Sequence, residues 1–127
     1  MTLITEIKEQ QDGVYVVKPA GNLDSDTYLS FEDKIKSLLE PSTKVLIMDL
    51  SKLKYISSIG LGLIFKTRKT IEGNSGTFIL TSIPLHIKKI FDVVKALPKE
   101  PIFGSMKEVD EYLKLIQQQE IEKQQNS

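Results

Sequence analysis

From Lys44 to Gly73 the chain reads KVLIMDLSKLKYISSIGLGLIFKTRKTIEG, and the reading of this stretch decides the fold. Val45, Leu46, Ile47 and Met48, closed by Asp49 and Leu50, form a short, nearly continuous apolar run rich in branched side chains. Such a run predicts a strand buried on both faces, as in a parallel sheet. Ser51 to Ile56 reads as a short connection. From Ile59 to Glu72 the period becomes helical, with Gly60, Ile64, Thr67 and Ile71 along one face. Gly73 follows the last periodic residue, where a C′ glycine ends a helix.

Two features of the predicted helix ask for a reason. Ser57 and Ser58 stand at its start, where a serine caps free backbone N–H groups. Gly60 and Gly62 lie in its first turns, and each costs up to about 1 kcal/mol relative to alanine. A helix bears that cost where another backbone, or a partner, comes close. The expectation is an exposed helix N-terminus carrying Ser58, beside a surface stripped of side chains and flanked by exposed Ile59, Leu61 and Leu63.

Working outward, Leu3 to Glu9 alternates weakly and runs into Asp12-Gly13, a hairpin signal. Val14 to Lys18 is the second strand, which Pro19 closes or places on an edge. Gly21 to Thr27 reads as a loop becoming a helix start, with acids and hydroxyls suited to capping and to the macrodipole. That helix runs to about Leu39, with Tyr28, Phe31, Ile35 and Leu38 at helical spacing, and Pro41 stops it. Beyond the central unit, Gly73 to Gly76 is a turn and Thr77 to Thr81 a strand. Ser82-Ile83-Pro84 reads as a cap with a proline near N1, opening a helix whose Ile87, Ile90, Phe91 and Val94 face the core. Ile102-Phe103 reads as a short last strand, and Ser105 caps a helix carrying Met106, Val109, Tyr112, Leu113 and Ile116. From Gln117 onward the chain is Gln- and Glu-rich and reads as a frayed or disordered tail. Strands alternating with helices after an opening hairpin predict an α/β domain with a mixed sheet.

The bulk numbers narrow the function. With 127 residues, one domain plus a tail is expected. Lys plus Arg and Asp plus Glu both number 17, so no basic field points to nucleic acid or to a membrane surface. Cysteine is absent, which excludes a disulfide framework, thiol catalysis and thiolate zinc sites. No apolar run reaches the roughly 18 residues of a membrane span, and the N-terminus lacks the basic and apolar regions of a signal peptide. A soluble, cytoplasmic protein is expected.

Catalytic readings fail on the residues. Gly60-Leu61-Gly62 is not a phosphate loop: Phe65 stands where a third glycine is needed, and no Lys-Ser or Lys-Thr follows. His86 is the single histidine, without a Gly-x-Ser-x-Gly nucleophile, and it reads as solvated or packed. No metal-ligand cluster and no cofactor site are visible. Lys66, Arg68 and Lys69 form a basic run on the Ser58 helix. Ser58 is the remaining candidate. A phosphate there adds about −1.5 to −2 charges, which a helix N-terminus accommodates and a partner packed over it does not. Ser57 is the alternative phosphosite.

The run Asp49-Leu50-Ser51-Lys52-Leu53-Lys54-Tyr55-Ile56-Ser57-Ser58-Ile59-Gly60-Leu61-Gly62 resembles the signature of the bacterial anti-sigma factor antagonists, which are STAS domains. Gly21-Asn22-Leu23-Asp24 resembles the family's Gly-x-Leu-Asp loop, and Ile83-Pro84 through Ile87, Ile90, Phe91 and Asp92 its third-helix segment. The resemblance implies a single STAS domain over residues 1–116, with a mixed four- to five-stranded sheet and about four helices, and residues 117–127 as tail. It implies no catalytic activity of its own. It implies an unphosphorylated form that binds an anti-sigma factor, itself a serine kinase using ATP, and so releases sigma. Phosphorylation of the serine matching Ser58 ends binding, and a serine phosphatase restores it. Asp24, Ser57, Ser58, Ile59, Gly60, Leu61, Gly62 and Leu63 would meet the partner. Many members carry Asp-Ser-Ser/Thr-Gly; here Ser57 replaces the acid and Ile59 the second hydroxyl. That departure favours the alternative, a constitutive STAS scaffold or transport-associated subunit without phosphoregulation. Oligomeric state is left open.

Overall fold

The computed structural model describes residues 2–96 and 106–125. The chain opens on the hairpin that Asp12-Gly13 predicts: β1 (Leu3–Gln11) and β2 (Val14–Leu23) run antiparallel, with Gln11 opposite Val14. Gly13 takes a φ of 77°, the left-handed conformation that favours glycine in such turns. After β2 come α1 (Tyr28–Ile35), a 3-10 turn over Lys36–Leu38, β3 (Val45–Asp49), β4 (Leu53–Ile56), α2 (Ser58–Gly73), β5 (Thr77–Thr81), α3 (Leu85–Ala96) and α4 (Met106–Gln125). Five strands and four helices among the described residues make the expected α/β domain with a mixed sheet.

The sheet runs β1-β2-β3-β5, and β2 is its axis. The first half of β2, Val14 to Val17, pairs parallel with β3. Its last residues, Gly21 to Leu23, pair parallel with β4. Pro19 is therefore not the end of β2. It lies between the two parallel partners, where a missing N–H interrupts neither ladder, and pairs with Thr5 on the other side. The segment Leu53–Ile56, expected as a connection, is a strand that continues β3 after a turn. In that turn Ser51 N–H donates to Asp49 Oδ1 at 2.9 Å. The Ser51 hydroxyl and N–H hold the Asp49 carboxyl below the usual carboxylate range, and Lys18 at 3.6 Å adds to the effect.

One core fills one face of the sheet. Val17, Leu46, Met48, Leu53 and Ile56 from the strands meet Phe31 and Ile35 of α1, Ile64 and Ile71 of α2, and Ile87 and Ile90 of α3. The expectation that β3 is buried on both faces is corrected here. Leu46 and Met48 are buried, but Val45 and Ile47 are only half-buried. Val45 pairs with Val14, and Ile47 with Val16 and with Ile79, which is exposed. These branched side chains lie opposite one another across the ladders of the sheet.

Helix ends depart from expectation in instructive ways. Gly73 remains within α2, and Ser75, at φ 67°, takes the left-handed place after it. Gly76 N–H donates to Ile71 O and Ser75 N–H to Glu72 O, the paired bonds of a Schellman ending. Ser82, at φ 56°, turns the chain out of β5 rather than capping α3. The Pro84 carbonyl accepts the first helical bonds, from Ile87 and Lys88. The predicted strand at Ile102-Phe103 and the cap at Ser105 lie outside the described residues, as does the side chain of Val94. From Gln117, where a frayed helix end or a disordered tail is expected, α4 continues through Gln125.

Candidate functional site: the start of α2

The start of α2 is held at two backbone points. Ser57 N–H donates to Leu23 O at 3.0 Å, and Ser57 O accepts from Leu61 N–H at 2.9 Å. The first bond ties the helix start to the end of β2; the second is the first turn of the helix. Ser57 is the N-cap residue, extended at φ −98° and ψ 176°, and its side chain makes no capping bond. Its Oγ is buried and has no hydrogen-bond partner among the described residues. Ser58 is the first helical residue and is half-buried.

The serine pair therefore splits. Ser57, expected both at the partner surface and as an alternative phosphosite, lies inside the domain at 4% exposure. Ser58 keeps a surface position at the tip of the helix.

The glycines split the same way. A Cβ on Gly60 would stand 2.6 Å from Leu23 O and 2.9 Å from Leu23 Cγ. Gly60 thus lets α2 approach the end of β2, and internal packing alone gives its cost a reason. A Cβ on Gly62 would meet nothing within 4 Å, and Gly62 is exposed. The fold gives Gly62 no packing reason to be glycine.

Leu61 and Leu63, expected as exposed docking residues, are corrected to core residues at 3% and 7% exposure. The buried stripe of α2 takes in Gly60, Leu61, Leu63, Ile64, Thr67 and Ile71. A helix against a sheet buries residues at i, i+3, i+4 and i+7, and Ser57, Gly60, Leu61 and Ile64 follow that spacing, as do Gly60, Leu63, Ile64 and Thr67. Ile59 stays half-exposed.

What remains on the surface is a shallow depression of about 230 Å³ between α1 and α2, lined by Tyr28, Glu32, Ile59, Gly62, Leu63 and Lys66. Lys66 reaches Glu32 at 3.5 Å and closes one side of it. Ile59, Gly62 and Lys66 follow helical spacing on the exposed side of α2. Tyr28 and Glu32, four apart on α1, face them; nothing local to the signature run in the sequence points to these two.

Asp24 caps the turn into α1. Its Oδ1 accepts from Asp26 N–H at 2.9 Å, its carbonyl accepts from Tyr28 N–H at 2.9 Å, and its N–H donates to Thr27 Oγ1 at 3.0 Å. The buried Thr27 hydroxyl donates onward to Asn22 O at 2.7 Å. Because Leu23 bonds Ser57, this rigid turn and the start of α2 are one assembly. Gly21 to Leu23, read as loop, belong to β2, and only Asp24 to Thr27 form the turn. His86, read as solvated or packed, bonds Lys54 O through Nε2 at 2.8 Å. No group of three or more His, Cys, Asp or Glu side chains suited to a metal ion occurs among the described residues. Among them, no helix is long and apolar enough to cross a membrane.

Comparison with known proteins agrees with this architecture. The anti-sigma-B factor antagonist of Staphylococcus aureus is 28% identical over 83 residues, covering 65% of this chain and 77% of the relative. The Bacillus protein SpoIIAA, solved in its phosphorylated form, superposes with a TM-score of 0.61 at 20% identity over 72% of this chain and 83% of that one. A sulfate transporter family protein from Wolinella succinogenes superposes with a TM-score of 0.52 at 22% identity over 86% of this chain and 91% of that one. The profile of the STAS domain matches residues 7–109, from within β1 to within α4. With that match spanning the hairpin, the β3–α2 unit and α3, the chain belongs to the STAS domain family.

Proposed function

We propose that this protein is an anti-sigma factor antagonist switched off by phosphorylation of Ser58. The observation that carries the reading is the placing of Ser58: the first residue of a 16-residue helix, half-exposed at its tip, with the open Gly62 one turn on. Similarity to the staphylococcal antagonist supports it. The unmodified protein binds an anti-sigma factor that is also a serine kinase, and sigma is released. Asp24, Ser58, Ile59 and Gly62 meet the partner, with Tyr28, Glu32 and Lys66 completing the surface.

The physics of the switch is local. Phosphate on Ser58 sits at the positive end of α2, so the domain tolerates it. A partner packed over the same spot buries that charge without a counter-ion. A penalty of about 3–4 kcal/mol weakens binding a few hundred-fold. Ser58 acts only as the substrate nucleophile; the kinase brings ATP, Mg²⁺ and the base. A serine phosphatase resets the protein. The protein is not itself an enzyme in this reading, and it works in the cytoplasm.

Incubation with the serine kinase anti-sigma factor of the same organism and ATP, followed by phosphosite mapping by mass spectrometry, tests the reading. Phosphate on Ser58 alone is expected, because Ser57 is buried. An unmodified chain after full turnover of the kinase refutes it. The second reading is a constitutive STAS subunit of a transport-associated complex. Ser57 in place of the usual acid and the likeness to the Wolinella protein favour it. Recovery of transporter subunits with no kinase in a pull-down would decide for it.

A further inference from the structure

Among the described residues, strand β4 pairs with one strand, β2, and side chains bond to its other edge. Leu53, Tyr55 and Ile56 stand opposite Gly21, Asn22 and Leu23 in the ladder with β2. Ser57 N–H, one residue on, makes the bond to Leu23 O, and the N–H and C=O of Ile56 turn to the opposite edge. There His86 of α3 bonds Lys54 O at 2.8 Å. Gln117 of α4 makes both bonds that a neighbouring strand would make. Its Oε1 accepts from Ile56 N–H at 3.0 Å, and its Nε2 donates to Ile56 O at 2.9 Å. Gln117 is 2% exposed, in a helix whose following residues, apart from Ile121, are polar.

Ile56 is followed directly by Ser57 and Ser58. We infer that Gln117 is a positioning residue for the start of α2: by standing in for a strand at Ile56, it fixes the backbone from which Ser58 is presented. The C-terminal half of α4 is then the control point of the docking surface. Whatever lifts it frees Ile56 and loosens the tie between Ser57 and Leu23. The docking consequence rests on the proposed function; the positioning itself does not.

The amide of Gln117 has a substitution that separates positioning from bulk. In Gln117→Glu, the ionised carboxylate still accepts from Ile56 N–H but faces Ile56 O with a lone pair. Once protonated, it again offers one acceptor and one donor. Protection of backbone amides against hydrogen exchange, normalised to intrinsic rates and read residue by residue by NMR on the full chain, reports the geometry. Gln117→Ala is expected to lower protection of both the Ile56 and Ser57 amides about tenfold or more, with Leu46 to Met48 unchanged. Gln117→Glu is expected to do the same at neutral pH and to regain protection as pH falls through the titration of the new carboxyl. Gln118→Glu, on an exposed neighbour, stays at the wild-type value throughout.

Loss confined to Ile56, or a Gln117→Glu chain whose protection does not return in acid, overturns the inference. Should Gln117→Ala fail to fold, the acid return of Gln117→Glu still decides it. Affinity for the anti-sigma factor reads the consequence separately. Unchanged affinity of a chain that has lost Ser57 protection refutes the control-point role while the proposed function stands. A wild-type chain that binds no anti-sigma factor removes the proposed function, and the exchange result then judges the positioning alone.

Discussion

Gly60 and Gly62 lie two residues apart on α2 and answer to different neighbours. A methyl group on Gly60 collides with Leu23 O at 2.6 Å. Gly60→Ala is therefore expected to destabilise the domain by about 2 kcal/mol or more, as overpacking against backbone does. Gly62→Ala meets open space, and helix propensity makes it stabilising by about 0.5–1 kcal/mol. The same change narrows the depression between α1 and α2, so partner affinity is expected to fall as stability rises. Chemical denaturation and titration with the anti-sigma factor read the two effects, and a Gly62→Ala chain that binds at wild-type strength would remove Gly62 from the docking surface. Ser57 gives a third contrast. Its buried hydroxyl has no partner among the described residues, and an unmet buried hydroxyl costs about 1–3 kcal/mol. Ser57→Ala is expected to leave stability unchanged or raised. A clear loss in urea midpoint would mean the hydroxyl is bonded after all.

Among the elements, β3 and β4 show what the sequence could and could not disclose. The helical face of α2 through Gly60, Ile64, Thr67 and Ile71 was readable from spacing, and all four are buried. Strand β3 was readable as a strand but not as one-sided, because half-buried valine and isoleucine look the same in sequence as fully buried ones. Met48→Ala is expected to cost about 2–5 kcal/mol, whereas Ile47→Ala costs well under half of that, since Ile47 is already half in water. Equal costs in denaturation would mean the outer face of the sheet is covered. Strand β4 was hidden because it spans only four residues, with one lysine inside it and another just before it. Its pairing comes from β2, some thirty residues away, and no local period records that. The turn between β3 and β4 carries a pH signature. Asp49 is held below its ordinary pKa in the fold, first by Ser51 and then by Lys18. Its contribution to stability is fully present above the unfolded carboxylate value of about 3.9 and is lost as pH falls through the lower folded value. Asp49→Asn is expected to flatten that part of the acid limb in a melting series from pH 6 to pH 2; an unaltered limb would contradict the assignment.

For the molecule as a whole, the division of labour follows from packing. One sheet face holds the core, α2 crosses it close to β2 because Gly60 permits it, and the tip of that helix is left at the surface with Ser58. The fold class was legible because strand and helix periods alternate along the chain. The docking surface was legible only in part. Leu61 and Leu63 are apolar and near Ser58 in sequence, but the helix turns them inward; Tyr28 and Glu32 of α1 come to the site from tertiary structure. Gln117 was unreadable because its polar, Gln-rich surroundings resemble a solvated tail, and burial of its amide depends on a strand edge that forms 61 residues earlier.

The most direct measurement pairs one titration with one melt. The full chain with phosphoserine at position 58 and the unmodified chain are each titrated with the anti-sigma factor by calorimetry, and each is melted alone. The expected result is a loss of affinity of a few hundred-fold, corresponding to about 3–4 kcal/mol, with melting temperatures that coincide. Equal affinities, or a phosphorylated chain that melts far below the unmodified one, would contradict a switch that acts on docking and spares the fold.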